Sequence, residues 1–235
     1  MIRQRGEKFM EKCLIFALVP VFALASATWG AEKKSAKTGQ VVWNINTITA
    51  VGGHTTEVLG APKVISAPGG KAVEFDGVKD GLIVDSFPLA GVGSFTLEVV
   101  FCPYADGPAE QRFFHLQENE GNNRILLETR IIDGNKWSLD SFIQSNETNQ
   151  TLLDKTITHP TGAWYNTTLV FDGKEMRHYI NGVKELSAEI KAFTPYIGGK
   201  TSVGMRMNKV FWFKGAIGKA RFTPWALSPG EFLKP

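Results

Sequence analysis

Residues 215–232 read GAIGKARFTPWALSPGEF. The stretch decides the fold class. Its first half alternates small or apolar residues with polar ones, the period of a strand with one face on a core. Its second half turns at Pro224 and ends in Ser228-Pro229-Gly230-Glu231. A serine followed three positions later by a glutamate, with proline at the first helical position, starts a short helical turn. A strand running into such a cap closes a sandwich rather than building a catalytic centre.

Upstream, period-two runs recur. Phe95, Leu97, Val99 and Phe101 alternate with Thr96, Glu98 and Val100. Trp164, Asn166, Thr168 and Val170 alternate with Tyr165, Thr167, Leu169 and Phe171. Strands are expected at 41–46, 71–75, 82–85, 95–103, 112–117, 124–132, 136–144, 165–171, 175–180, 184–187, 202–207 and 211–222. Asp133-Gly134, Asp172-Gly173 and Asn181-Gly182 supply the positive φ of tight two-residue turns. Helical periodicity is almost absent. The expectation is an all-β, antiparallel two-sheet β-sandwich with a short C-terminal helical turn, as one domain over 41–235.

The start of the chain is of another kind. Arg3, Arg5, Lys8 and Lys12 precede an apolar run from Cys13 to Ala25, then Ala25-Ser26-Ala27. That is the pattern of a secretory signal peptide over 1–27. The apolar run is too short for a membrane span. Residues 28–40 are polar and lysine-rich, a flexible leader. Removing 1–27, with four Lys/Arg and two Asp/Glu, reduces 26 basic and 23 acidic residues to 22 and 21. So balanced a charge gives no footing for nucleic acid or an anionic membrane. Cys102 is the one cysteine after residue 27, so an internal disulfide is excluded. An exported chain without disulfides rests on its core, and about 200 residues suffice for one.

Four stretches resemble a known family: AVEFDGVKDGLIV (72–84), SFTLEVVFCP (94–103), GAWYNTTLVFDGKEMRHYINGVKE (162–185) and TSVGMRMNKVFWFKGAIGKARFTPWALSPGEF (201–232). Together they are similar to the laminin-G-like, concanavalin-A-like lectin and glucanase jelly rolls. The resemblance implies the fold. It implies function only as a choice among lectins, sugar-binding modules, adhesion modules and glycosidases. It also places Trp43, Trp164 and Trp225 at core positions. Asn166 stands where relatives often carry histidine, and Gly218 where many carry an acid.

Laminarinase-type members use a strand motif Glu-x-Asp-x-(x)-Glu, since glycoside cleavage needs paired carboxyls at a set separation. Glu74-Phe75-Asp76 begins that pattern, but Val78 and Lys79 occupy the third place. No catalytic residue is assigned. A non-standard set from separate strands, Glu98, Glu128 and Asp140, is the alternative that keeps a glycosidase in view. His54, His115, His159 and His178 fall in no zinc spacing. Calcium is the one cofactor candidate, at Asp76 and Asp80, which bracket a tight loop.

A binding face remains. Sugars stack on aromatic rings and are fixed by polar neighbours. Trp137 and Trp212 are the free aromatic candidates, Arg130 and Arg206 the planar donors, and Asn122 and Asn146 the loop amides. The expected function is a secreted, non-catalytic module that binds carbohydrate, with protein adhesion as the alternative, so the partner is a glycan or an extracellular protein. Sequons stand at Asn146, Asn149 and Asn166.

Overall fold

A computed structural model describes residues 39–234. The signal segment and nearly all of the leader lie outside the described residues.

The strands in chain order are β1 (Val41–Asn44), β2 (Thr56–Leu59), β3 (Lys63–Ala67), β4 (Gly70–Asp76), β5 (Gly81–Val84), β6 (Phe95–Pro103), β7 (Glu110–Glu118) and β8 (Arg124–Ile132). There follow β9 (Lys136–Ser145), β10 (Thr148–Leu153), β11 (His159–Pro160), β12 (Tyr165–Phe171), β13 (Glu175–Ile180), β14 (Val183–Glu189), β15 (Gly199–Val203) and β16 (Lys214–Thr223). They form two antiparallel sheets. The first runs β14-β13-β12-β6-β16-β4-β3, with β1 also on β16. The second runs β10-β9-β8-β7-β15-β5-β2, with β11 on β9. The jelly-roll reading of the sequence stands. The strands β2, β3, β10 and β11 are additions, edge strands too short or too polar to stand out by pattern.

Alternation fills the space between the sheets. Phe95, Leu97, Val99 and Phe101 of β6 are fully buried and face Phe113, Leu116, Ile125, Leu127 and Trp137 of the second sheet. Phe101 and Phe113 stack across the sandwich with ring centroids 4.2 Å apart. Each such side chain contributes roughly 1.5–3 kcal/mol by leaving water. One polar chain crosses the same space. Ser141 Oγ lies 3.0 Å from His178 Nδ1, and Glu185 sits between His178 Nε2 (3.8 Å) and His159 Nε2 (2.5 Å). Burial, then the nearby His159, lowers the His178 pKa to about 4, so the ring is held neutral.

Turn chemistry follows the sequence at two of the three expected sites. Asp133-Gly134 and Asn181-Gly182 have positive φ at both residues. At Asp172-Gly173 only the glycine does; Asp172 instead accepts the backbone N–H groups of Lys174 and Glu175 at 3.0 and 2.8 Å.

The closing stretch quoted first lies across the outer face of the first sheet. Thr96 Oγ1 donates to the Trp225 carbonyl and accepts the Leu227 N–H, both at 2.9 Å. Glu98 is fully buried there, held by Arg221 and by the Leu233 N–H at 2.6 Å. Asn166 is also buried, and its Nδ2 donates to the Leu233 carbonyl at 2.8 Å. Its sequon is therefore sealed in the folded chain. The helical turn forms over Pro229–Glu231, with the Ser228 N–H donating to Glu231 Oε2 at 3.0 Å.

Candidate ligand-binding face

The second sheet has a hollow on its outer face, beside the 204–213 segment packed on it. Cross-strand pairing sets the constellation there: Arg112 stands opposite Glu128, Glu128 opposite Asp140, and Arg130 beside both. Period-two alternation then projects Arg124, Leu126, Glu128 and Arg130 of β8 to one side, with Asp140 and Phe142 of β9 next to them. Arg112, Arg124, Leu126, Glu128, Arg130, Asp140, Phe142, Thr151 and Arg206 line a shallow hollow of about 180 Å³.

Charges in this hollow interlock. Arg112 Nε lies 2.9 Å from Glu128; Arg130 lies 3.0 Å from Glu128 and 2.5 Å from Asp140, and also meets Glu110 at 2.8 Å. Glu128 and Asp140 are almost wholly withdrawn from water, each with a side chain 3 % exposed. Burial, with Asp140 beside it, pushes Glu128 up to about 7 against the pull of Arg112 and Arg130. Burial raises Asp140 too.

Two guanidiniums are left over. Arg124 and Arg206 make no ion pair among the described residues. Arg124 lies over the Phe142 ring at 4.7 Å, and its Nη1 donates to the Asn122 carbonyl at 2.7 Å and to the Asn122 side chain. Burial, then the charge of Arg206, lowers its pKa. His115, opposite Leu126 and fully buried, feels the same crowd. Burial and then Arg206, Arg124 and Arg112 lower it to about 3, so it is neutral. Its Nδ1 accepts the Met207 N–H at 2.9 Å, and its Nε2 has no hydrogen-bond partner. Phe211, 38 % exposed, lies 3.8 Å beneath the Arg112 guanidinium.

The structure thus brings Arg130, Arg206 and Asn122 to one region, Asn122 through its grip on Arg124. Asn146 serves its own turn: it has φ 51°, its N–H donates to Asn123 Oδ1 at 2.6 Å, and its Nδ2 donates to Thr194 at 3.0 Å. Trp137 must be corrected. It is fully buried, edge-on to Phe101 at 5.2 Å, and its Nε1 donates to the Pro160 carbonyl at 3.2 Å. Its phase along β9 is that of Leu139 and Ile143, the inward one, so it offers no face to a ligand. Trp212 is half-buried, in the segment between β15 and β16, and its ring comes within contact distance of Gly81.

Asp76 and Asp80 act as turn caps. Asp76 Oδ1 accepts the backbone N–H groups of Val78, Lys79 and Asp80 at 2.8, 2.9 and 3.0 Å. Burial works upward on that carboxyl, but these donors prevail and hold it below the usual range. Asp80 Oδ1 accepts the Ala61 N–H at 2.7 Å. Among the described residues no three His, Cys, Asp or Glu side chains gather to hold a metal ion.

Sequence reasoning missed four contributors. Arg112, Arg124, Phe142 and Phe211 were legible only once β7, β8, β9 and the 204–213 segment were placed side by side.

Comparison with known proteins now fixes the class. A family model described as the concanavalin A-like lectin/glucanase superfamily (Laminin_G_3) matches residues 76–231, and the chain belongs to this superfamily. No curated protein matches it. Among solved structures, domain 4 of AbnA, a GH43 extracellular arabinanase from Geobacillus stearothermophilus, in complex with arabinotriose, is similar at TM-score 0.62 and 20 % identity, over 81 % of this chain and 94 % of that one. The receptor binding domain of botulinum neurotoxin C/D mosaic serotype has TM-score 0.60 and 14 % identity, over 82 % and 49 %. The binding domain of Paraclostridial Mosquitocidal Protein 1 has TM-score 0.59 and 15 % identity, over 82 % and 50 %. This chain spans about half the length of the two toxin domains. At such identities the likeness is one of fold. Among the described residues no helix is long and apolar enough to cross a membrane.

Proposed function

We propose that the chain is a secreted, non-catalytic carbohydrate-binding module that engages a saccharide on the outer face of its second sheet. One observation carries the reading: Arg124 and Arg206 stand together without an acidic partner, beside Phe142, in an open hollow. Arg206 and the Arg124 Nη2, which no acid takes up, are the planar donors offered to sugar hydroxyls. Glu110, Glu128 and Asp140 take up Arg112 and Arg130, so Arg124 and Arg206 are the donors left for a hydroxyl-rich ligand. The domain of an arabinanase in complex with arabinotriose, on the same fold, supports the choice. Export rests on the signal pattern at 1–27.

The placement of the carboxylates supports binding without cleavage. Glu98 lies in the other sheet under the closing segment, and Glu128 and Asp140 are locked by Arg112 and Arg130. A glycosidase requires an acid and a base that reach the scissile bond.

The test is a glycan array with the intact protein and with Arg124→Ala/Arg206→Ala. The protein retains a defined set of neutral glycans, and the variant loses affinity by tenfold or more, about 1.4 kcal/mol. An array without any bound glycan, or a variant that binds as before, contradicts the assignment.

A further inference from the structure

We infer a second binding site, on the outer face of the first sheet at the bulge in β16, for a sugar unit carrying a negative charge. Strand β16 changes neighbours along one edge. It pairs with β4 over Lys214–Ile217 and with β1 over Lys219–Phe222. Gly218 is the extra residue between, where the register to β6 shifts, and its carbonyl accepts the Ile45 N–H at 2.9 Å. The seam between the ends of β1 and β4 opens a cavity of about 360 Å³, within the ~300–1,000 Å³ range of small-molecule sites.

Its lining is that of a sugar subsite. Trp164 is half-buried, packed on a small apolar patch of Ala72, Cys102 and Ala216. A Cβ at position 218 would lie 3.5 Å from the Trp164 ring, so glycine there leaves the indole uncovered on that side. Asn44 and Asn46 are exposed at the wall, and their amides make no hydrogen bond among the described residues. Lys71, Lys219 and Lys234 complete the rim. None of them makes an ion pair among the described residues, and no acidic residue lines the cavity. An indole takes the apolar face of a sugar ring, the amides read its hydroxyls, and three uncompensated ammonium groups select a carboxylate or sulfate on it.

Arg206 lies in the 204–213 segment and lines the hollow on the other sheet, so this site and the one proposed above fail or hold separately. The experiment is calorimetric titration of the intact protein with galactotriose, trigalacturonate and sulfated galactotriose, repeated on Gly218→Asp, on Lys71→Glu/Lys219→Glu and on Arg206→Ala. Gly218 has an ordinary backbone conformation with room for a side chain, so the aspartate places a negative charge on the floor without forcing the chain. We expect an acidic trisaccharide to bind at least ~10-fold more tightly than galactotriose at low salt, a margin that shrinks as salt is raised. Both pocket variants lose that margin and Arg206→Ala keeps it; which acidic probe wins identifies the anion. Equal affinity for all three probes, no binding of any, or acidic binding that survives both pocket variants overturns the inference. Loss in Arg206→Ala alone reassigns the anion to the other face and overturns it equally.

Discussion

The two sheets present opposite solutions to the same problem, a set of basic side chains on an outer face. On the second sheet, Arg112 and Arg130 are bound into Glu110, Glu128 and Asp140 with distances of 2.5–3.1 Å. On the first, Lys71, Lys219 and Lys234 surround Trp164 with no acid among them. The difference teaches that the arginine face is partly structure, since its carboxylates are out of water and need their partners. The lysine pocket contributes nothing of that kind, and its charge is left for something outside the chain.

That contrast breaks first on stability. Arg130→Ala strands Glu128 and Asp140 without their shared partner, at a cost of about 3 kcal/mol in urea unfolding. Lys71→Ala and Lys219→Ala change stability by less than about 0.5 kcal/mol. A cost for the lysine variants equal to that of Arg130→Ala removes the distinction.

Acid sharpens it next. The His178 and His115 pKa values in the folded chain are lowered to about 4 and about 3 from 6.5. The unfolded chain therefore binds more protons in this range, and stability falls as pH drops from about 6.5 towards 4. Glu128 acts in the other direction: raised from 4.5 to about 7, its contribution is present at low pH and lost as pH rises through that window. Asp140, also raised, acts with Glu128, but the two histidines, both lowered, act across the whole interval, so the net loss is on the acid side. In Glu128→Gln the glutamate's opposing contribution is gone, and thermal unfolding between pH 4.5 and 6.5 shows a steeper slope. A melting temperature flat over that interval contradicts the assignment.

The smallest effect concerns calcium. With Asp76 and Asp80 serving backbone donors, addition of calcium or of a chelator shifts the melting temperature by less than about 1 °C, because a ligand stabilises only in proportion to its binding. A clear rise with calcium restores the metal site expected from the sequence.

Much of this architecture was legible. The alternation in β6 and β12, the capping sequence at Ser228 and the turns at Asp133 and Asn181 all form as read. Trp43 is in the core as read, but Trp137 and Trp164 were misread because a residue's face depends on phase, and phase depends on where a strand begins. Trp137 shares the inward phase of Leu139 and Ile143, but polar Ser141 in the same row blurs it. Trp164 shares the outward phase of Asn166 and Thr168; those two are buried by the closing segment, while Trp164 faces the seam at Gly218. No local pattern reports that β1 and β4 meet the same edge of β16, so the pocket had no signature in sequence. The arginine face was half visible, because Glu128 and Arg130 are two apart on one strand, but Arg112 and Asp140 join them only through cross-strand register.

The central claim is that ligands are met on the outer faces of the sheets. Amide chemical-shift mapping, with a saccharide selected on the array, tests it most directly. The account predicts shifts concentrated around Arg124, Phe142, Thr151 and Arg206, with the Asn44–Asn46 and Lys219 region responding to acidic sugars. Shifts gathered in the Asp76–Asp80 turn and other loops, with both faces silent, would contradict it.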